Sequence, residues 1–201
     1  MNIINESSFI IKGNDPETLV VSFAGHDIVF GGIPRFEFVN FFEKNFNNID
    51  RQFYIDKNKT SYHEGIVGIS KNIEETASYL EKQIQGYKNV LFLGVSSGGY
   101  AAILFGSLLK VKNVLAFIPQ TIRRDKDIDE KYRDLHPYIN NSTKYYLFGD
   151  LSVKNPNDPH HISHLTRVSD YQNVFITKQK DFNLKRMRDN GMLHKIISSL
   201  L

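Results

Sequence analysis

Cysteine is missing from the chain altogether, which removes disulfides, thiolate metal sites, thioether haem attachment and a cysteine nucleophile together. Any covalent catalysis must use another side chain. No apolar run approaches the ~20 residues needed to cross a bilayer. There is no internal repeat, no Pro/Ser-rich linker and no low-complexity tract to mark a domain boundary. The N-terminus, MNIINESSFIIKG, has neither a basic start, a long apolar stretch nor a small-residue cleavage site. It therefore does not read as a secretion signal, and a cytoplasmic location is expected. Without such a signal, the Asn-X-Ser/Thr sequons at Asn58 and Asn140 read as a by-product of an Asn-rich composition. Charge of one sign is not in large excess either. Lys+Arg 25 against Asp+Glu 22 leaves +3, too little for the broad basic face of a dedicated nucleic-acid binder.

What is present fits a soluble globular protein of one domain over residues 1–201, with 41% hydrophobic and 23% charged residues. Strands are expected at Phe9–Lys12, Thr18–Ala24, Arg51–Ile55, Asn89–Leu93, Asn113–Ile118, Lys144–Phe148 and Asn173–Thr177. The runs LVVSFA, VLFLG and VLAFIP are continuously apolar, as in strands buried on both faces of a parallel sheet. Between them the spacing predicts helices. Ile73, Ala77, Leu80 and Ile84 share one face of a helix over 73–85, with Asn72 and Glu75 suited to cap its start and Gly86 to end it. Further helices are expected over 35–45, 99–109, near 160–168, and through Leu184 to Ile197 with a break at Asn190-Gly191. Alternating strands and helices imply right-handed crossovers, hence an α/β fold: a mostly parallel sheet with helices on both faces, a three-layer sandwich. The irregular segments 28–34, 57–70, 120–141 and 150–159 mostly follow strands, at the edge where such sheets bind ligands.

Gly94-Val95-Ser96-Ser97-Gly98-Gly99 lies between the strand VLFLG and the helix YAAILFGSLL. A Gly-x-Ser-x-Gly in that context is a nucleophile elbow, with glycines permitting the sharp turn and the Ser96 hydroxyl raised above the sheet. A Gly-rich phosphate cradle is the plainer alternative. A dinucleotide fingerprint and a Walker A loop both fail on spacing.

With this elbow, the upstream VVSFAG and the downstream KYYLFGDLSVKNPNDPHH, nearly the whole chain resembles the α/β-hydrolase superfamily, in particular small lid-less serine hydrolase-like domains. The resemblance implies Ser96 as nucleophile. It also implies an oxyanion hole from the backbone N–H of Ser97 and one from the turn after VVSFA, at Gly25 or His26. The acid then follows the strand at 144–148, where Asp150 and Asp158 both qualify. Either could be a plain turn or cap residue. The Asp-x-x-His spacing to His161 is similar to that of the resembling domains and favours Asp158.

The resemblance also implies a histidine after the last strand, but the loop there reads KQKDFN, with Asp181 and Phe182 in its place. His160, His161 and His164 lie after the preceding strand, so His161 is the expected substitute base. A solvated loop accounts for the same cluster, and metal binding is disfavoured because no second ligand cluster accompanies it. The motif Tyr62-His63-Glu64-Gly65 could line the pocket. The basic run Lys178, Lys180, Lys185, Arg186 and Arg188 could hold an anionic glycan or nucleic acid, but without interleaved aromatics it fits a solvated helix face better.

The expected activity is that of a serine hydrolase, an esterase or deacylase, or of a related acyltransferase. It would work through an acyl-Ser96 intermediate on a small or glycan-linked acyl substrate, with no cofactor, no metal, no nucleic acid and no membrane partner. The competing expectation is a hydrolase-like binding or assembly module that lost its base.

Overall fold

The structure is a computed structural model and describes residues 2–26, 29–30, 33–34, 36–125 and 128–201. The chain runs β1 (Asn2–Asn5), β2 (Ser8–Ile11), β3 (Asp15–Phe23), β4 (Val29–Phe30), β5 (Ile33–Pro34), α1 (Val39–Asn45), β6 (Ile49–Tyr54), α2 (Ile73–Ile84), β7 (Asn89–Val95) and α3 (Ser97–Leu108). It continues through β8 (Asn113–Phe117), β9 (Lys144–Asp150), α4 (Ser163–Thr166), β10 (Val174–Gln179), α5 (Leu184–Asp189) and α6 (Met192–Ser198). Eight strands form one sheet in the order β1-β2-β6-β3-β7-β8-β9-β10. From β6 to β10 every neighbouring pair is parallel, and β1 and β2 add an antiparallel edge.

The apolar runs take the central places. Leu91–Leu93 and Val114–Phe117 are fully or almost fully buried, since helices cover both faces of the sheet. On one face α2 and α3 pack on Leu19, Val21, Phe23, Phe92 and Val114. On the other, α1, α5 and α6 close over Phe9, Phe53, Leu91, Leu115 and Phe117. Phe23 joins strand to helix, its ring against Phe92, Tyr62 and Phe105 with centroids 5.5–5.6 Å apart.

The helix over 73–84 is capped as expected. Asn72 Oδ1 accepts the Glu75 N–H at 2.8 Å, the Glu75 carboxylate accepts the Lys71 N–H at 2.9 Å, and Gly86 follows at φ 88°. The terminal helix breaks at Asn190-Gly191 into α5 and α6, with Gly191 at φ 79°. Two expectations shift. The N-terminal strand pairs with a further strand, β1, whose mixed polar sequence hides it. The helix expected from residue 35 starts only at Val39, because Phe38 sits at φ 65° and cannot continue a right-handed turn. Arg35 and Ile28 lie outside the described residues. Among the described residues no helix is long and apolar enough to cross a membrane.

In α3 every residue from Ser97 to Ser107 is buried, so the helix crosses the back of the sheet in close contact rather than along one stripe. Two glycines allow that approach. A methyl built on Gly98 would overlap the Phe23 carbonyl of β3, and one built on Gly94 would overlap the Gly98 carbonyl. Gly86, by contrast, has open space around it and is demanded only by its positive φ. Gly86→Ala is therefore expected to cost about 1–2 kcal/mol through backbone strain. Gly98→Ala must move β3 against α3 and is expected to cost more, at the upper end of the ~1–3 kcal/mol of overpacked cores or beyond it. Urea-unfolding midpoints of the two variants check the order.

Candidate active site

Ser96 follows β7 directly and precedes the first helical residue of α3, with φ 55° and ψ −118°. That backbone is rare for a residue with a Cβ and persists only where its surroundings over-determine it. Ser96 N–H donates to the Phe117 carbonyl of the neighbouring strand at 2.9 Å, and its own carbonyl accepts the Tyr100 N–H at 3.0 Å. The positive φ thus falls on the serine, while the flanking glycines supply closeness.

The Ser96 hydroxyl meets His160. Oγ and Nε2 are 2.7 Å apart, a hydrogen bond that the hydroxyl donates when Nε2 carries no proton. The loop after β9 delivers this ring. Asp158 Oδ1 accepts the His160 N–H at 2.8 Å and folds the Asp-Pro-His turn, while the His161 N–H donates to the Asp158 carbonyl at 3.0 Å. The same Oδ1 lies 3.8 Å from His160 Nδ1, close enough for attraction between charges but beyond hydrogen-bond reach. Both side chains are partly exposed, at 34% and 39%.

The structure brings His160, not His161, to Ser96. His161 forms a parallel bridge with Asp150 at the end of β9, and its Nδ1 accepts from the Ser163 N–H at 3.2 Å and approaches the Ser163 hydroxyl at 2.9 Å. With its ring engaged by Ser163, His161 makes no bond to Ser96. Asp150 is the last residue of β9, and its Oδ1 accepts the Ser152 N–H of the following turn at 2.7 Å. In the loop after β10, Asp181 pairs with the Ser152 hydroxyl at 2.8 Å, and Phe182 packs on Phe117 with centroids 5.9 Å apart. That loop closes the core beside the elbow and offers no base.

On the opposite side stands the turn after β3. A methyl on Gly25 would lie 3.0 Å from the Val95 carbonyl and 3.8 Å from Ser96 Cβ, so the turn passes directly beside the nucleophile. The Gly25 N–H is engaged by Glu37 Oε2 at 3.3 Å. This leaves the His26 N–H and the Ser97 N–H as candidate oxyanion donors. Ser97, as the first helical residue, has no carbonyl one turn earlier to accept its N–H. The His26 ring faces away, its Nε2 taking the Ser61 N–H at 3.1 Å and lying 3.5 Å from Asp56 Oδ2.

Tyr62 and His63 prove internal. The Tyr62 hydroxyl is 3.1 Å from both the Ala24 and Tyr54 carbonyls. His63 Nδ1 accepts the Asp129 N–H at 3.2 Å, which leaves Nε2–H to donate to the Tyr100 hydroxyl at 2.9 Å, and Tyr100 in turn donates to the Tyr132 carbonyl. In the basic run, Arg188 pairs with Asp189 and Arg186 donates to the Asp181 carbonyl, so part of it ties down α5. A large cavity of about 1580 Å³ between α1 and α5–α6 reaches Glu37 but is not lined by Ser96.

No protein-family model and no curated protein matches the chain. Solved structures do. The strand order, elbow and crossovers are those of the α/β-hydrolase fold. The capsule O-acetyltransferase of Neisseria meningitidis serogroup A superposes with a TM-score of 0.65 at 16% identity over 95% of this chain and 90% of that one, and a mutant of it has been solved with CoA. FphF, a fluorophosphonate-binding serine hydrolase of Staphylococcus aureus, gives 0.61 at 12% identity over 96% and 92%. A serine hydrolase without a lid from Xanthomonas campestris gives 0.52 at 11% identity over 96% and 88%.

Two buried histidines next to the site titrate far from their ordinary range. Burial pushes His63 and His164 from 6.5 down to about 4, with nearby arginines adding to the effect. Both accept backbone N–H groups in the neutral form, His164 from Thr121 at 3.2 Å. Between 6.5 and about 4 the unfolded chain binds protons that the folded chain refuses, so their contribution is complete above 6.5 and lost as pH falls through 4. The melting temperature is expected to fall across that window. His164→Asn, whose amide oxygen can still accept the Thr121 N–H, should reduce the slope by about one proton's share. Thermal melts from pH 7 to pH 4 measure this.

Proposed function

We propose that this protein is a serine acyl-transfer enzyme that forms an acyl-Ser96 intermediate with His160 as its general base. The observation that carries this reading is the 2.7 Å contact between Ser96 Oγ and His160 Nε2 at a strained strand-to-helix turn. His160 takes the Ser96 proton as Oγ bonds to the acyl carbon. The carbonyl oxygen becomes an oxyanion beside the His26 and Ser97 N–H groups and the N-terminus of α3, where partial positive charge gathers. Collapse expels the alcohol, which receives the proton from His160, and leaves the acyl-enzyme. A hydroxyl, of water or of an acceptor sugar, then repeats the steps in reverse.

Asp158 contributes mainly as a negative charge near the imidazolium. An exposed pair at 3.8 Å is worth ~0–1 kcal/mol, far less than a buried acid hydrogen-bonded to its histidine. The transferase branch draws support from the fold shared with the capsule O-acetyltransferase. On that branch a CoA thioester is the donor and a glycan hydroxyl the acceptor. The exposed His160–Asp158 pair leaves the elbow open to such an acceptor.

The test is covalent labelling with a fluorophosphonate, combined with acetyl-ester turnover in the presence and absence of a sugar acceptor. Wild type is expected to be labelled and Ser96→Ala not. His160→Ala should lose on the order of 10³-fold or more in turnover, the loss seen when a member of such a catalytic set is removed. His161→Ala should lose little, and Asp158→Asn no more than about tenfold, in keeping with its exposed contact. An unlabelled wild type, or turnover that survives His160→Ala, sinks the reading.

A further inference from the structure

Glu37 is a half-buried acid at the inner wall of the large cavity, bonded to the turn beside the elbow, and the acyl-transfer steps above leave it without a part. We propose that Glu37 is a positioning residue for acyl transfer at Ser96: its carboxyl clamps the Gly25 N–H and so fixes the Ala24–His26 turn against the elbow. The proposal rests on the acyl-transfer reading of the site.

Three features of the molecule converge on it. The clamp is adjacent to the chemistry, because Gly25 packs against Val95 and Ser96 while Glu37 Oε2 holds its N–H at 3.3 Å. Glu37 is itself held from both sides. Its carbonyl accepts the Ser22 hydroxyl at 3.4 Å, Phe36 stands edge-on to Phe9 at 4.7 Å, and Phe38 lies 6.3 Å from Phe117, ring centre to ring centre. Phe38 adopts φ 65°, a conformation a bulky residue takes only under constraint, and this bend directs Glu37 at the turn instead of letting α1 begin earlier. The remaining bonds of the turn hold its neighbours and leave Gly25 to Glu37. Ala24 N–H donates to the Tyr54 carbonyl at 3.0 Å, Tyr62 holds the Ala24 carbonyl, and Ser61 holds the His26 ring.

The chemistry calls for an uncharged acceptor here, since a carboxylate beside the forming oxyanion would repel it. Burial pushes the Glu37 carboxyl from 4.5 up to about 8, with the Gly25 and Val95 N–H groups opposing the shift only in part. The charged and titratable groups that share the cavity lining with it are Lys44 of α1, Lys185, Arg188 and Asp189 of α5, His194 and Lys195 of α6, and Glu6 of the β1–β2 turn. Inward, Tyr62 would feel its charge once ionised, as it does that of Asp56, whose Oδ2 lies 3.5 Å from His26 Nε2. Between pH 4.5 and about 8 the folded protein keeps a proton on Glu37 that the unfolded chain has released, so stability falls as pH rises through that window.

The experiment compares wild type, Glu37→Gln and Glu37→Ala by steady-state kinetics on an acetyl ester from pH 5 to pH 10, by fluorophosphonate labelling, by melting temperature and by amide exchange at Gly25. Glu37→Gln keeps an uncharged acceptor, so kcat at pH 7 should stay within about threefold and the fall in activity above pH 8 should disappear. Its melting temperature should gain on wild type between pH 5 and pH 8. Glu37→Ala should lower kcat by about tenfold or more with KM nearly unchanged, and Gly25 should exchange at least about tenfold faster than in the other two. A Glu37→Ala protein with unchanged or raised kcat overturns the proposal, and raised kcat would mark Glu37 as a plug. Equal Gly25 exchange in all three also overturns it. A wild type that fluorophosphonate does not label ends the acyl-transfer reading and the positioning role with it, and Gly25 exchange then still decides whether the clamp exists.

Discussion

A serine held at φ 55° does not stay there by its own preference, and the rest of the molecule is arranged to keep Ser96 in place. Such a backbone costs ~1–3 kcal/mol. The hydrogen bond from Ser96 to Phe117 fixes it to β8, and the bond from Tyr100 fixes it to α3. Close packing of α3 on the sheet adds to that restraint. Gly94 and Gly98 remove the side chains that would hold it off, and the buried surface of α3 with Phe23, Phe92 and Phe105 supplies the attraction. The turn is therefore a product of the core and shares its stability.

The partner of Ser96 follows a different logic. A base is commonly sought after the last strand of this fold, yet here that loop is spent on packing, with Phe182 on Phe117 and Asp181 on Ser152. The loop after β9 brings a histidine to the serine instead, anchored at its far end by the Asp150–His161 bridge. The anchor sets the phase. With His161 tied to Asp150 and the Asp158 carboxylate capping the His160 N–H, it is the His160 ring that meets the serine. Asp158 spends its oxygen on that cap, which is why it reaches Nδ1 only at 3.8 Å.

Much of this could be read from residues alone, and where it could not the reason is local. Buried parallel strands such as VLFLG announce themselves by unbroken apolarity, and the elbow by glycines between a strand and a helix. The choice between His160 and His161 turns on one residue of phase in an irregular loop, which no periodicity encodes. It depends on a backbone bridge between residues 150 and 161 that exists only in three dimensions. Glu37 was hidden for a related reason. FEFVNFFEKNF reads as helix from its beginning, and only the left-handed Phe38 takes Glu37 out of that helix and delivers it to Gly25. Tyr62 and His63 were visible as chemistry-bearing types, but their use as struts under Ala24 and Tyr100 follows from burial.

Three titratable groups near the elbow share one property. His63 and His164 are pressed toward neutrality by burial from one side of the scale, and Glu37 from the other. At neutral pH none of the three adds a full charge to the surroundings of Ser96. The backbone dipoles at the start of α3 and the partly exposed His160–Asp158 pair contribute to the field there. A buried fixed charge would raise or lower the energy of an oxyanion permanently. Neutral struts hold the donors still without doing so, and electrostatic stabilisation by preorganised dipoles requires that combination of rigidity and neutrality.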